Sequence, residues 1–422
     1  MQLIIGTLIA KLLQALLSLG RSKGQALPGL IVERLFPNYL TKMIAKLPEG
    51  MVLITGTNGK TTTTKMVVDL LQASGKKVVT NPTGSNLTRG LVASMAQQAN
   101  LFGGLRQDLA VFEVDEAFAV RLVARVKPRW VLALNVSRDQ LDRFGEVDTV
   151  AKLIDTVMQT ATEGVVTNAN DPRLSERAAR LSVPVHYFGV SSKLRHFFPT
   201  DNELVAVDQE TDLPKSSVKT DVELTEFAGN SATYHIGKHE VKTSLQVTGQ
   251  HNFQNAAAAL LLVHKLLTQR SVQTLASDLG NVSIAFGRGE IYKLPTGDVQ
   301  LVLVKNPPSF RQALASYPAK GPQTMIVIND NYADSRDVSW LWDVDFDVFN
   351  NATIRLTSGS RAADIALRLQ YANAQVDEIV PDISEALRSF TNGPGDKVIF
   401  STYTAMLALH DKLTLMQKAA NG

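Results

Sequence analysis

The sequence predicts an α/β protein in which a doubly wound, mostly parallel sheet is followed by a smaller C-terminal α/β domain. Short apolar runs alternate with helix-length segments from residue 51 to about residue 187, and the alternation returns after residue 290. Such β-α alternation is typical of parallel sheets covered by helices on both faces. A glycine-rich turn after the first apolar run also fits this fold, in which ligands bind at the carboxyl ends of strands.

Apolar runs in the first half predict buried strands, and the segments between them predict helices. The predicted strands are Met51–Ile54, Lys77–Val79, Leu109–Val114, Trp130–Leu134, Val165–Thr167 and Val183–Tyr187. The predicted helices include Thr61–Ala73, Thr88–Gln98 and Val147–Ala161. Polar and glycine-containing segments that follow these runs are therefore the places to look for a site.

Residues 190–245 are more polar and alternate over short stretches, which predicts short antiparallel strands at 204–207, 222–224 and 232–234. A helix is expected at Asn252–Gln269. After residue 290 we expect a second α/β pattern. Its predicted strands are Val299–Val304, Thr324–Ile328, Ala352–Leu356 and Lys397–Phe400, and its predicted helices are Ser360–Tyr371 and Ile383–Phe390.

The first nineteen residues are apolar but do not have the features of a signal peptide. No charged segment precedes them, Lys11 interrupts them, and no small-residue cleavage site follows. The run is also too short and too interrupted for a membrane-spanning helix. Apolar pairs three and four residues apart predict a helix packed on the body of the protein. The alternative is a helix whose apolar face rests on the inner membrane surface.

Length and composition limit the class of protein. A chain of 422 residues is expected to form two or three domains. The net charge of +3 is small and no long basic run occurs, so a nucleic-acid partner is not expected. The absence of cysteine excludes disulfides, thiolate zinc sites and a cysteine nucleophile. It also fits a reducing cytoplasm.

The turn that joins the first strand to the first helix of the sheet predicts a nucleotide site. It reads Thr55-Gly56-Thr57-Asn58-Gly59-Lys60-Thr61-Thr62. Gly56 and Gly59 allow backbone amides to face a phosphate, and Lys60 supplies a positive charge. The Thr61 hydroxyl can hold Mg²⁺, and the helix N-terminus favours an anion. We therefore expect residues 56–62 to bind ATP with Mg²⁺.

An acidic residue at the end of another strand is expected to share the metal. Glu113 ends the apolar run that begins at Leu109, and an ionised side chain there needs a cation nearby. Glu113 is therefore predicted to be a Mg²⁺ ligand and a catalytic residue, together with Lys60. Asp115 and Glu116 follow closely and could also lie near the metal. The alternative for each is a solvated acid at the start of a helix.

From this point the motifs resemble those of the Mur ligase family. The resemblance rests on the turn at 55–62, Glu113, and the segments at 135–145, 168–172, 249–256 and 287–288, which together span most of residues 50–290. It implies ATP, Mg²⁺ and an acyl phosphate made from a substrate carboxylate. It also implies nucleotide-pocket roles for Asn168 and Asp171, an adenine-side role for Asn255 and a phosphate-side role for Arg288. Turn and helix-cap chemistry is the alternative for these four residues.

Within that family the chain resembles the synthetase subunits of lipid II isoglutaminyl synthase. The similar segments are 22–29, 328–343 and 357–361. About fifty residues precede the turn, fewer than the 80–100 or so that a separate UDP-binding domain needs, which favours a lipid-linked substrate. The resemblance implies domains at 1–48 (a helical leader), 49–290 (ATP-binding, with a β-rich insertion at 190–245) and 291–422 (contacting a glutaminase).

The resemblance implies that lipid II is amidated with ammonia from a GatD-like glutaminase. Asp337 would complete the catalytic triad of that partner; a solvated acidic loop, or a structural pair with Arg336, is the alternative. A membrane-linked substrate would make a cytoplasmic enzyme peripheral to the membrane. Two rival functions remain: an amino-acid-adding ligase of the Mur or folylpolyglutamate type, and a nucleotide-switched scaffold.

Three features depart from the family pattern. The zinc ribbon of many such subunits has no cysteines here, and His196, His235 and His239 are isolated, so no zinc is expected. Gln140 stands where many Mur ligases have a histidine near a second metal. Residues 305–310 lack the usual glycine, which leaves their role open.

Overall fold

The computed structural model describes residues 1–19, 27–81, 87–137, 147–200, 218–246, 249–282, 288–316 and 323–421. The chain divides into two compact units, and each contains one sheet. The predicted α/β class, with a large and mostly parallel sheet and a smaller C-terminal α/β unit, is confirmed.

The first unit begins with three helices that precede the sheet. They are α1 (Gln2–Leu19), α2 (Leu27–Leu35) and α3 (Tyr39–Ile44). Helix α1 packs on α2, α3 and a later helix of the same unit, α5 (Thr88–Gln98). The Thr7 hydroxyl lies 2.7 Å from the phenol oxygen of Tyr39, within this packed surface.

The sheet of the first unit contains nine strands among the described residues, in the order β2-β3-β1-β4-β5-β6-β7-β8-β9. The strands are β1 (Met51–Thr55), β2 (Val78–Thr80), β3 (Leu109–Glu113), β4 (Trp130–Ala133), β5 (Gly164–Asn168), β6 (Val185–Val190), β7 (Val222–Ala228), β8 (Ser231–Ile236) and β9 (His239–Ser244). Strands β1 to β7 pair in parallel, whereas β7, β8 and β9 form antiparallel pairs.

Seven further helices of the first unit are described; the first five lie between successive strands from β1 to β6, and the last two follow β9. They are α4 (Lys60–Ala73), α5, α6 (Glu116–Val123), α7 (Val147–Met158), α8 (Pro172–Ala178), α9 (His251–Leu266) and α10 (Val272–Leu279). Strands β1, β3 and β4 are buried along their whole length, which explains their continuous apolar sequence. Strand β1 lies between β3 and β4, and the chain leaves β1 and β4 in opposite directions across the sheet. Such a topological switch point is where ligands bind in these folds.

The second unit contains a six-stranded sheet in the order β10-β11-β15-β12-β13-β14. The strands are β10 (Arg288–Leu294), β11 (Gly297–Leu303), β12 (Gln323–Val327), β13 (Thr353–Ser358), β14 (Gln375–Val380) and β15 (Lys397–Ser401). Only the β10–β11 pair is antiparallel. The helices are α11 (Pro307–Ser316), α12 (Ala362–Tyr371), α13 (Ile383–Asn392) and α14 (Tyr403–Asn421).

Two apolar clusters cover the faces of this second sheet. Phe310, Phe346 and Phe400 belong to one cluster, and Met325, Phe390 and Leu409 belong to the other. The sequence did not predict β10, β14 or α11. Strand β14 is an edge strand whose residues alternate between exposed and half-buried, so it lacks the apolar run that marks a central strand. The strand expected at 204–207 lies outside the described residues.

Candidate nucleotide site

The predicted phosphate-binding turn leaves β1 and opens helix α4. Gly59 precedes the helix with a φ of 83°, a left-handed conformation that favours glycine. A Cβ at Gly59 would lie 2.4 Å from the Asn255 amide oxygen, so a side chain would not fit there. The turn therefore needs glycine for its backbone shape and for the close approach of α9.

A second loop holds the turn from the neighbouring strand. The Asn135 side-chain oxygen accepts a hydrogen bond from the Asn58 N–H at 2.8 Å, and its amide group donates to the Asn58 carbonyl at 3.0 Å. The Thr57 N–H donates to the Asn135 carbonyl at 3.0 Å, and the Ser137 N–H donates to the Thr57 hydroxyl at 3.0 Å. These reciprocal bonds fix the turn before any ligand is considered, which is the pre-organisation that phosphate binding requires.

The Lys60 side chain lies over the turn and contacts an acid of the adjacent loop. Its ammonium group donates to the Gly56 carbonyl at 2.5 Å and lies 3.1 Å from a Glu116 carboxylate oxygen. Glu116 is only 4% exposed. The interpretation of Glu116 as a solvated acid was wrong, because the residue starts α6 inside the protein and pairs with a lysine. Asp115 is also buried and caps α6 by accepting from the Ala117 N–H at 3.3 Å.

Glu113 lies at the end of β3, beside Ile54 of β1, and is buried. Its backbone is held by Asn81, which follows β2: the Glu113 N–H donates to the Asn81 side-chain oxygen at 3.1 Å, and the Asn81 amide donates to the Glu113 carbonyl at 3.0 Å. Asn81 was not predicted, although it follows an apolar run as the other site residues do. The structure thus brings Glu113, Glu116 and Lys60 to one edge of the sheet.

These residues fit a magnesium ion bound together with phosphates. Thr61 and Glu113 provide a hydroxyl and a carboxylate, the oxygen donors that Mg²⁺ prefers. No group of three or more His, Asp or Glu side chains converges on a metal position in the described ranges. Mg²⁺ is typically held by one or two carboxylates and completed by waters and phosphates.

Asp171 and Asn168 take structural positions beside the second loop. The Asp171 carboxylate accepts from the Val136 N–H at 2.8 Å and from the Arg173 N–H at 3.1 Å, so it caps α8 and anchors the loop after β4. Burial raises the pKa of Asp171 to about 6, against the lowering effect of these amides. Asn168 accepts from the Asn170 N–H at 2.9 Å. These bonds are the cap and turn chemistry that was the alternative to nucleotide contact.

Of the remaining residues predicted to contact the nucleotide, Asn255 lies beside the turn and Arg288 lies at the start of β10. Asn255 lies against Gly59 and donates to the Asn252 side chain at 3.0 Å, so it borders the phosphate-binding turn. Arg288 begins β10, and its side chain lies outside the described part of the chain, as do Gln140 and Gly287. The proposed roles of these residues stay predictions.

Asp337 lies in the second unit, in the loop after β12. Its carboxylate accepts from the Ser339 N–H at 2.8 Å, and the side chain is partly exposed. The acidic loop is not solvated throughout, because Asp334 is buried and accepts from the Thr404 N–H at 2.7 Å. Burial raises the pKa of Asp334. Asp330 pairs with Arg361 at 2.9 Å, and its hydrogen bond from Ser360 lowers its pKa.

The two tryptophans that follow Asp337 have different surroundings. Trp340 packs against the core cluster that contains Phe310. Trp342 is 52% exposed and makes an edge contact with the ring of Tyr371 at 5.3 Å, and the guanidinium of Arg368 lies 5.6 Å from the Trp342 ring. The loop that carries Asp337 is therefore followed by an exposed aromatic surface.

The parallel sheet with this turn at its switch point defines a P-loop protein of the Mur ligase type. Residues 54–263 match the family model of the Mur ligase middle domain, and residues 303–406 match that of the MurT ligase C-terminal domain. The chain belongs to the Mur ligase family, whose members are ATP-dependent ligases, and within it to the MurT group.

Relatives support this assignment over nearly the whole chain. The MurT subunit of lipid II isoglutaminyl synthase (glutamine-hydrolyzing) from Streptococcus pneumoniae is 29% identical, over 94% of this chain and 93% of the relative. The corresponding subunit from Staphylococcus aureus is 26% identical, over 93% of each chain.

Solved structures show the same fold. MurF from Acinetobacter baumannii aligns with a TM-score of 0.67 at 18% identity, covering 92% of this chain and 80% of that chain. MurF from Thermotoga maritima in complex with ADP aligns with a TM-score of 0.67 at 16% identity, covering 92% of this chain and 84% of that chain. In the described part of the chain, no helix is long and apolar enough to cross a membrane.

Proposed function

We propose that this chain activates the α-carboxyl of D-glutamate in the lipid II stem peptide and that the product is amidated to D-isoglutamine. The observation that carries the proposal is the rigid turn at 56–60 with Lys60, Glu113 and Glu116 gathered around it, in a chain similar to MurT subunits along nearly its full length. A lipid-linked substrate would place the enzyme at the membrane surface.

The reaction would proceed in two steps, phosphorylation of the carboxylate and then its amidation. A carboxylate oxygen of the stem peptide attacks the γ-phosphorus of ATP, an O–P bond forms, and the bond from that phosphorus to ADP breaks. Ammonia then attacks the acyl carbon, the C–N bond forms, phosphate leaves with the bridging oxygen, and the nitrogen loses a proton. Phosphoryl transfer depends mainly on positioning and charge neutralisation.

The residues around the turn have separate tasks in this proposal. The amides that Gly56 and Gly59 turn outward bind phosphate oxygens, and Lys60 neutralises negative charge on them. Glu116 holds the Lys60 ammonium group over the turn. Mg²⁺, held by Thr61 and Glu113, would supply further charge neutralisation to the phosphates when it is bound.

Ammonia would come from a glutaminase partner of the GatD type. A histidine base in such a partner needs an acceptor on its second ring nitrogen, and the partly exposed carboxylate of Asp337 has the chemistry to provide it. The exposed Trp342–Tyr371 pair supports a protein contact here, since aromatic residues commonly anchor interfaces.

Two nitrogen sources allow the synthetase reaction of this chain to be tested separately from the supply of ammonia by the partner. Purified chain and partner are assayed for amide product with either glutamine or ammonium chloride. Lys60→Ala should remove product formation with both sources, at least about a hundredfold, because phosphoryl transfer loses a charge partner. Asp337→Asn should remove the glutamine reaction and leave the ammonia reaction within about twofold, because the synthetase site is unchanged.

Asp345→Asn is the matched control for Asp337→Asn. Asp345 is exposed and accepts from the Asp347 N–H at 2.9 Å, the same local contact that Asp337 makes with Ser339. It should support both reactions. Equal loss of both reactions in Asp337→Asn would show that this residue serves folding. Product formed with a free amino acid and no ammonia would instead favour an amino-acid-adding ligase, and no product from any source would favour a scaffold.

A further inference from the structure

The fully buried side of helix α1 consists of small side chains, and several of its large apolar side chains are exposed. Gly6, Thr7 and Ala10 are buried against the rest of the first unit. A Cβ at Gly6 would lie 2.9 Å from the Tyr39 ring, so the helix approaches closely on this side. The exposed large side chains are Met1, Ile4, Ile5, Leu8, Leu12 and Leu16. This is the reverse of a helix that packs on a core through an apolar stripe.

The exposed side chains form one continuous stripe. At 3.6 residues per turn they fall within an arc of about 120°, and from Met1 to Leu16 the stripe is about 22 Å long. Leu12 is 63% exposed and Leu16 is 56% exposed. Single exposed leucines are ordinary, but a contiguous apolar strip on one helix marks an interaction surface.

A second element next to the start of α1 carries another exposed apolar side chain. The turn after α5 carries Phe102, which is 78% exposed. Asn100 shapes the turn by accepting from the Phe102 N–H at 2.9 Å and the Gly104 N–H at 2.8 Å. A Cβ at Gly103 would lie 3.3 Å from the Leu3 backbone, so the turn sits directly on α1. Two neighbouring parts of the first unit thus carry exposed apolar side chains.

Three lysines lie next to α1 and the Phe102 turn. Helix α1 contains no acidic residue, and the first acid in the chain is Glu33. Lys11 donates to the Gln97 carbonyl at 2.9 Å, Lys42 donates to the Gln2 side chain at 2.8 Å, and Lys46 donates to the Gly103 carbonyl at 2.7 Å. These bonds hold three ammonium groups next to α1 and the Phe102 turn. Apolar residues bordered by lysines are the pattern of helices that lie in the interface of an anionic bilayer.

We propose that this strip, formed by the exposed side chains of α1 together with Phe102, seats the protein on an anionic lipid bilayer with α1 in the plane of the interface. A second copy of the chain fits less well, because a two-fold contact would bring the same lysines together. The choice of a bilayer also rests on the proposed function, in which the substrate is lipid-linked.

Flotation with vesicles tests the surface directly. The probes are vesicles of phosphatidylcholine alone and of phosphatidylcholine with phosphatidylglycerol. The wild-type chain should float with the anionic vesicles, and Leu8→Gln/Leu12→Gln should reduce the bound fraction by about tenfold or more. The matched control is Leu367→Gln/Leu415→Gln, which changes two equally large exposed leucines of the second unit and should float like the wild type. In Phe102→Trp, tryptophan emission should shift to shorter wavelength on adding anionic vesicles.

Three results would overturn the proposal: no flotation of the wild type, equal flotation of the Leu8/Leu12 variant, or a dimer that this variant dissociates without any vesicle binding. Amidation of a water-soluble stem peptide without its lipid keeps this test separate from the proposed function. Loss of vesicle binding with that amidation retained would support the surface. Vesicle binding by a wild-type chain that makes no amide would refute the function and leave the surface intact.

Discussion

The predicted phosphate-binding turn needs glycine at position 59 both for its left-handed backbone and for its close contact with Asn255. A comparison with Gly75 separates these two effects. Gly59 and Gly75 have nearly the same φ, 83° and 84°, in the left-handed region. A Cβ at Gly59 would lie 2.4 Å from the Asn255 side chain, whereas at Gly75 it would meet nothing within 4 Å. The close contact with Asn255 is present at Gly59 and absent at Gly75.

We predict that Gly75→Ala costs about 1 kcal/mol of stability, the usual penalty of a left-handed alanine, and leaves ATP binding unchanged. Gly59→Ala should lower the melting temperature further and weaken ATP binding by at least about tenfold, because the turn must move away from α9. Isothermal titration with ATP·Mg²⁺ and thermal melts measure both effects. Similar ATP affinities in the two variants would contradict the close packing described for the turn.

The buried carboxyl group of Asp171 makes the folding stability of the protein depend on pH. Its pKa is raised to about 6 in the folded protein, above the ordinary value of 3.8. Between these values the native state binds the extra proton, so the contribution of Asp171 to stability is greatest at low pH and falls as pH rises through 6. From pH 5 to pH 7.5 the loss is about 1.4 kcal/mol.

Asp171→Asn should remove this dependence, because asparagine does not ionise. Its single side-chain oxygen can keep the bond from the Val136 N–H or the helix cap at the Arg173 N–H, but not both, so the variant loses a pH-independent part of the stability. Denaturant unfolding at pH 5 and pH 7.5 should therefore show the wild type losing stability relative to the variant at the higher pH. A difference between the two proteins that does not change with pH would refute the raised pKa.

Features that depend on one strand and the residues directly after it could be predicted from the sequence. Contacts between residues far apart in the chain could not. The turn at 56–61 and the burial of Glu113 follow from local sequence, because an apolar strand leads directly into each. The Lys60–Glu116 pair joins residues 56 positions apart, and the burial of Glu116 becomes visible only when β3 lies beside β1. Spacing along the chain could not distinguish this acid from a solvated one.

Helix α11 shows how capping explains a segment that the sequence left open. Asn306 precedes the helix and is buried; its side chain accepts from the Ser309 N–H at 2.9 Å. The Ser309 hydroxyl in turn accepts from the Asn306 N–H at 3.1 Å, which gives a reciprocal capping box. Pro307 occupies the first helical position, where proline is favoured. Residues 305–310 therefore contain the cap and the start of a helix.

We predict that Asn306→Ala destabilises the second unit by about 1–2 kcal/mol, because a buried N–H loses its acceptor. Asn306→Asp should keep most of the cap, since an aspartate oxygen can accept the same bond. Thermal melting of the two variants beside the wild type measures the difference. Equal destabilisation by aspartate and alanine would indicate that the amide group of Asn306 matters more than the cap.

Strands were predictable where they are buried along their whole length. Strands β1, β3 and β4 were found because every residue is buried and all but Thr55 and Glu113 are apolar. Strand β14 was missed because it lies at the edge of its sheet, with the alternating residues Gln375–Val380. Helix α11 was missed because two prolines at its start suggest a loop, although proline is favoured at the first position of a helix.

At the scale of the whole molecule, the two units have separate sheets and separate cores. Helix α4 follows the phosphate-binding turn in the first unit, and Leu70 on that helix is fully buried. In the second unit, Phe400 lies in the core cluster that contains Phe310 and Phe346. A domain with its own core can unfold as its own cooperative unit.

We therefore predict two transitions in differential scanning calorimetry, each sensitive to a different substitution. Leu70→Ala should lower one transition and Phe400→Leu the other, because each removes buried apolar contacts from one core, at a cost of about 2–5 kcal/mol for the leucine and less for the phenylalanine. ATP·Mg²⁺ should raise the transition that Leu70→Ala lowers, because the turn belongs to that unit and ligands stabilise the state they bind. A single transition lowered equally by both substitutions would show that the units unfold together.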